Sequence, residues 1–121
     1  MKAENIKETF ELAIQNHKEN NFEIAEKLYK EILNIEPDHF KSIHFLGTLA
    51  AQIKNLDQAK KFLERAIEIK NDYSETHYNL GNVLIELKET QKAINCFEKV
   101  IQINPDNADA HNNLGNLLKE L

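Results

Sequence analysis

Residues 77–84 read HYNLGNVL, and residues 111–118 read HNNLGNLL. Either stretch alone looks like a turn. Gly costs about 1 kcal/mol against Ala inside a helix, and Asn is a poor helix former. An Asn/Gly cluster is also compatible with a small phosphate cradle. Recurrence decides the matter. Residues 75–87 (ETHYNLGNVLIEL) and 109–121 (DAHNNLGNLLKEL) agree at 8 of 13 positions. Gly47, Gly81 and Gly115 stand 34 residues apart, as do Leu12, Leu46, Leu80 and Leu114, and Ala25, Ala59 and Ala93. The chain is an internal repeat, and the repeated unit has to be read before any single motif.

The unit reads as helical throughout. Residues 23–35, EIAEKLYKEILNI, place Ala25, Leu28, Tyr29, Ile32 and Leu33 on one helical face, and KKFLERAIEI and INCFEKVIQI repeat the pattern. Pro37 and Pro105 end their helices, because proline disfavours helix in the residue before it. Asp72-x-x-Glu75 has capping-box spacing, and Asp38 and Asp106 stand at the same helix-start position. Short turns around Asn20-Asn21, Lys54-Asn55 and Lys88-Glu89 predict antiparallel neighbours. At about 100° per residue, His77, Leu80, Gly81, Leu84 and Leu87 share one side of their helix. Glu75, Tyr78, Asn79, Asn82 and Glu86 share the other. The Gly therefore belongs to a packing face, where a missing Cβ admits a close neighbour. A phosphate cradle would need several Gly opening a helix after a strand, and no strand is predicted.

The period and pattern resemble the tetratricopeptide repeat, a helix–turn–helix unit. The third unit carries the resemblance best, with Leu80-Gly81, Ala93, Phe97 and Pro105; Leu84 stands where the family often has Tyr, and His77 where it often has Trp. Units are placed at 6–39, 40–73 and 74–107, with a partial unit at 108–121, in a single domain over 1–121. The first unit departs most. Ala13 replaces the Gly, and Thr9 and Asn16 occupy usually apolar positions. The resemblance implies an all-α, right-handed superhelical α-solenoid of three full repeats plus one extra helix. It also implies that the first helices line a concave groove that binds an extended peptide or partner segment.

On that implication the groove-lining candidates are Phe10, Ile14, His44, Phe45, Thr48, Tyr78, Asn79, Asn82, Asn112, Asn113 and Asn116. Charged and polar companions are Lys7, Glu11 and Lys18 in unit one, Lys41 and Gln52 in unit two, Glu75 and Glu86 in unit three, and Asp109 in the partial unit. One end of the set is apolar and the other is a ladder of Asn. An Asn side chain offers an acceptor and two donors, so a row of them suits an extended backbone. This is similar to the Asn-lined groove of the O-linked N-acetylglucosamine transferases, with Asn79 and Asn113 at ladder positions. Phe45 and Glu11 interrupt the ladder in units two and one. The bland alternative is a solvated face that tolerates Asn. The carboxylate clamp by which some tetratricopeptide domains hold acidic chaperone tails is not expected. Its positions hold Phe10, Ile14, Phe45, Glu75 and Asn79, or one unit later His44, Thr48, Asn79, Asp109 and Asn113, and no cation is among them.

Other classes are excluded on composition and spacing. Net charge is −5, from 20 acidic and 15 basic residues with interspersed signs, so no nucleic-acid footprint exists. No apolar run approaches the roughly 20 residues that cross a membrane. The opening MKAENIKETF has no signal-peptide core, which points to the cytoplasm. Cys96 is the single cysteine, so no intrachain disulfide is expected. His77 and His111 read as packing-face histidines rather than metal ligands. No catalytic constellation and no cofactor site emerges, so a non-enzyme is expected. Two alternatives to a peptide-binding module are carried forward. One is a self-assembling scaffold joined through 108–121, where Leu114, Leu117, Leu118 and Leu121 exceed what one neighbour can bury. The other is the N-terminal recruiting region of a larger enzyme.

Overall fold

A computed structural model describes residues 5–121. Among them the repeat becomes α1 (Ile6–Lys18), α2 (Phe22–Ile35), α3 (Phe40–Gln52), α4 (Leu56–Ile69), α5 (Ser74–Glu86), α6 (Thr90–Ile103) and α7 (Ala108–Lys119), with no strand. Each even-numbered helix packs most extensively on the odd-numbered helix before it and less extensively on the one after it. α3 also touches α5 directly, so odd helices form a continuous row. The result is an all-α helical repeat solenoid.

The even helices supply the knobs. Ala25, Tyr29 and Ile32 of α2, Ala59, Leu63 and Ala66 of α4, and Ala93, Phe97 and Val100 of α6 all have 0% exposure. These are the stripe residues of the sequence pattern, and their burial is the main favourable term of folding. The odd helices supply the sockets. A Cβ built on Gly47 would lie 2.7 Å from Leu63 Cγ, and one on Gly81 would lie 2.7 Å from Phe97 Cζ. Gly115 has nothing within 4 Å. The same residue in the same register is thus a filled socket twice and an open one once. Leu46 and Leu80 are buried, whereas their register mates Leu12 and Leu114 are exposed and half-buried respectively.

The short turns after α1, α3 and α5 are Schellman motifs. Asn20, Lys54 and Lys88 adopt left-handed φ of 65°, 66° and 65°. The amides of Asn21, Asn55 and Glu89 then reach back to the carbonyls of Asn16, Ala50 and Leu84 at 2.8, 2.8 and 2.9 Å. Lysine is unusual at such a position, which ordinarily favours glycine or asparagine.

The expected acidic caps are corrected. The N-cap residues of α3, α5 and α7 are His39, Tyr73 and Asn107, each one position after the Asp. His39 Nδ1 accepts from the Ser42 amide, and Asn107 Oδ1 accepts from the Ala110 amide at 2.9 Å. Asp38 pairs instead with Arg65 and Asp72 with Lys70. Each Asp lies one residue before the N-cap, where its side chain is not placed to accept from the first-turn amides as a cap does.

No helix of the described residues is long and apolar enough to cross a membrane.

Candidate functional site

The row of odd helices carries two adjoining hollows. The larger, of about 550 Å³, lies between α1 and α3, with half-buried Phe10, Ile14 and Phe45 among its walls and exposed Lys18, Lys41 and Gln52 at its mouth. The smaller, of about 280 Å³, lies between α3 and α5 and includes Asn79, Asn82 and Glu86. Thr48 and Gln52 line both, so the hollows are contiguous.

The apolar hollow is held in place by an aromatic cluster. Phe45 stacks on Tyr29 with planes 10° apart and centroids 6.2 Å apart, and meets Phe10 at 6.0 Å. Tyr29 is fully buried, and burial drives its phenol well above the ordinary range. The protonated hydroxyl donates to His17 Nδ1 at 2.9 Å, so His17 Nε2 carries the other hydrogen and donates to Gln52 Oε1 at 2.6 Å. That arrangement leaves the Gln52 amide N–H groups turned away from His17.

The Asn side is tied across units by side chains. Asn79 Nδ2 donates to Thr48 Oγ1 at 3.1 Å, and Thr48 in turn donates to the His44 carbonyl at 3.2 Å. Asn113 Nδ2 reaches Asn82 Oδ1 at 3.4 Å, a longer contact. Asn79, Asn82 and Asn113 are half-buried, whereas Asn112 and Asn116 are exposed. Asn79 and Asn113 each commit one donor sideways and keep the other, whereas Asn82 accepts and keeps both of its donors.

His44 is a correction. Its side chain is not on the groove surface but 2% exposed, bonded through Nδ1 to Thr76 Oγ1 at 2.9 Å and flanked by Phe40, Phe45 and Tyr73. Helical phase puts it beside the groove, but the neighbouring α5 closes over it. Burial holds its pKa below the ordinary imidazole range, against the opposing pull of Glu75. Tyr78 is half-buried, with its ring edge-on to Phe97 at 5.7 Å. His17 gives no signal in the sequence, because its register mates Ala51, Ile85 and Lys119 share no chemistry with it. Only the pairing with Tyr29 and Gln52 reveals it.

The other chemical candidates have structural partners. His77 Nε2 and His111 Nε2 each donate to a backbone carbonyl at 2.8 Å, of Asn71 and Pro105. His77 is buried, whereas His111 is exposed. Burial pushes the Cys96 thiol up to about 11, the opposite of what a nucleophile needs.

Paired helices in a 34-residue repeat, with knobs of even helices seated on glycines of odd ones, define a repeat-solenoid interaction module. The family model described as "TPR repeat" matches residues 81–121, and that described as "Anaphase-promoting complex, cyclosome, subunit 3" matches residues 16–100. The chain belongs to the tetratricopeptide repeat family. Among solved structures it is similar to the Thermobaculum terrenum O-GlcNAc transferase, at 28% identity and a TM-score of 0.87. That match covers 96% of this chain and 22% of the transferase. The first TPR of Spaghetti (RPAP3), bound to the HSP90 peptide SRMEEVD, gives a TM-score of 0.92 at 16% identity, over 99% of this chain and 95% of that one. MamA gives 0.91 at 23% identity, over 98% of this chain and 65% of that one. The last two likenesses concern the fold alone. No curated protein matches the sequence significantly.

Proposed function

We propose that this chain binds an extended peptide segment along the row of odd-numbered helices, in the concave groove of the solenoid. The observation that carries the reading is the pair of contiguous hollows, one apolar and aromatic, the other lined by Asn. Half-buried apolar side chains around an open hollow are what partner sites use for affinity. Asn side chains with spare hydrogen-bonding groups suit a peptide backbone of any sequence. Binding of the HSP90 peptide by the Spaghetti repeat supports peptide capture on this fold. The chaperone-tail clamp itself is not part of the proposal, since its positions carry no cation here.

The test is a binding screen of labelled peptides, followed by titration of the best binder against Asn79→Ala with Asn113→Ala. The double variant weakens binding while helicity by circular dichroism stays intact. Unchanged affinity would remove the ladder from the site.

A second reading has its own observation. Leu118 and Leu121 on and beyond α7 are 51% and 75% exposed, and Gly115 is an open socket, which favours self-assembly through that helix. Sedimentation across concentration distinguishes it: a strict monomer excludes the scaffold. The similarity to the O-GlcNAc transferase, which extends far beyond the shared part, motivates the recruiting-arm alternative.

A further inference from the structure

We propose that the hollow between α1 and α3 is an anchor pocket for one bulky apolar side chain of the bound segment, and that Lys18 and Lys41 hold an acidic residue next to that anchor. The inference rests on the groove reading and names the chemistry of its occupant.

The pocket's shape is the first support. At about 550 Å³ it is an open hollow with ample room for one bulky apolar side chain. Phe10, Ile14 and Phe45 give it apolar walls. Those walls are preformed, because Phe45 lies against the fully buried Tyr29 and Tyr29 is fixed through His17. A rigid pocket does not have to be ordered when the ligand arrives.

Charge is the second support. Lys30, Lys54, Lys60, Arg65, Lys70 and Lys92 all stand in ion pairs. Of the described lysines without such a partner, Lys18 and Lys41 are the two that line this hollow, and no carboxylate lines it with them. The sign also changes along the array. In one register the residues are Lys7, Lys41, Glu75 and Asp109, and in another Lys18, Gln52, Glu86 and Glu120. At the second hollow Glu86 is already paired with Lys54 at 3.2 Å. An acidic residue is therefore favoured over α1 and α3 rather than at the second hollow, beside the aromatic walls of Phe10 and Phe45, and the two preferences coincide in space. The Gln52 amide, turned outward by its bond to His17, supplies N–H donors for the carbonyl between them.

The experiment uses an array of amide-capped nonapeptides on a Gly/Ser background. The central residue is Phe, Leu or Ala, and its neighbours are Asp, Lys or Ser. Peptides with Phe or Leu beside Asp bind about tenfold more tightly than their Ala or Lys counterparts, the scale of one charge-assisted hydrogen bond. Lys18→Glu with Lys41→Glu, at two exposed positions, moves the preference to Lys-flanked peptides. Ile14→Phe narrows the hollow while keeping it apolar, and it removes the preference for the bulky anchor. A charge preference untouched by the double reversal overturns the proposal. If those peptides still respond to Asn79→Ala with Asn113→Ala, the groove reading survives alone. Inversion by the lysine variants with no response to the Asn variants retains the pocket and removes the ladder. Absence of any binding peptide overturns both. Self-association abolished by the lysine reversal makes the occupant a second copy and also overturns the proposal.

Discussion

Gly81 and Gly115 share a register and differ in surroundings, so the same one-carbon substitution tests the packing argument at both. In Gly81→Ala the new Cβ would sit 2.7, 2.9 and 3.0 Å from three atoms of the Phe97 ring. That ring has 0% exposure and stands edge-on to Tyr78, so it has little room to withdraw. Overpacking of this kind costs about 1–3 kcal/mol. The helix recovers about 1 kcal/mol from replacing Gly by Ala. The expected net effect is a destabilisation of about 1 kcal/mol, taking the middle of those ranges. Gly115→Ala meets nothing within 4 Å and keeps only the propensity gain, about 0.5–1 kcal/mol near a helix end. The two variants should differ by about 2 kcal/mol, or roughly 8 °C in Tm for a chain of this size. Urea and thermal unfolding followed by circular dichroism at 222 nm give the midpoints. Midpoints are compared directly because repeat arrays do not always unfold as one unit. Movement of both variants in the same direction by similar amounts would refute the socket reading. Gly81→Leu should be worse than Gly81→Ala, and a neutral result there would misplace the whole face.

Tyr29→Phe removes the donor to His17 Nδ1 and leaves a buried polar group unpaired, so it should cost about 1–3 kcal/mol in urea unfolding; a neutral variant would dissolve the proposed link between Tyr29, His17 and Gln52. His44 is held neutral by burial. Its folded pKa lies below its unfolded one, so its contribution is present above the unfolded value of about 6.5 and is lost as pH falls below it. Tm should therefore drop between pH 7 and 5, with a shallower drop in His44→Gln, and equal slopes would count against the burial argument.

The all-α repeat was legible because two independent signals coincided: the 34-residue spacing of small and apolar residues, and the helical phase within each unit. Phase alone also placed Gly81 on the packing side, where Phe97 now meets it. What phase could not show was depth. His44 occupies the register of Phe10, Tyr78 and Asn112, yet Tyr73 at the end of its own unit and Thr76 of the next close over it. Interhelix contact decides burial, and single-helix geometry is blind to it. The caps failed for a related reason, since a shift of one residue moves a side chain by about 100° and out of reach. His17 lies outside any motif, because its network joins α1, α2 and α3 at one point and recurs at no other unit among the described residues.

That non-repeating point gives the two hollows different linings. A perfect ladder would place Asn in every unit and bind any extended backbone with little preference for register. Phe45 breaks the ladder where Asn79 and Asn113 continue it. The exchange gives up backbone hydrogen bonds and gains an aromatic wall, stacked on Tyr29 and backed by His17. Ala13 is compatible with the same change, being fully buried in the cluster that contains Tyr29. A site built this way should fix a ligand at one place and tolerate variation beyond it. On the proposed reading, apolar contact and charge at α1 and α3 would set which residue is held, while α5 and α7 would lengthen the contact with little regard to sequence. Extending an anchored peptide toward α7 should then raise affinity by similar amounts for different uncharged sequences, whereas extending it with acidic residues should not, because Glu75, Glu86 and Asp109 lie along that path.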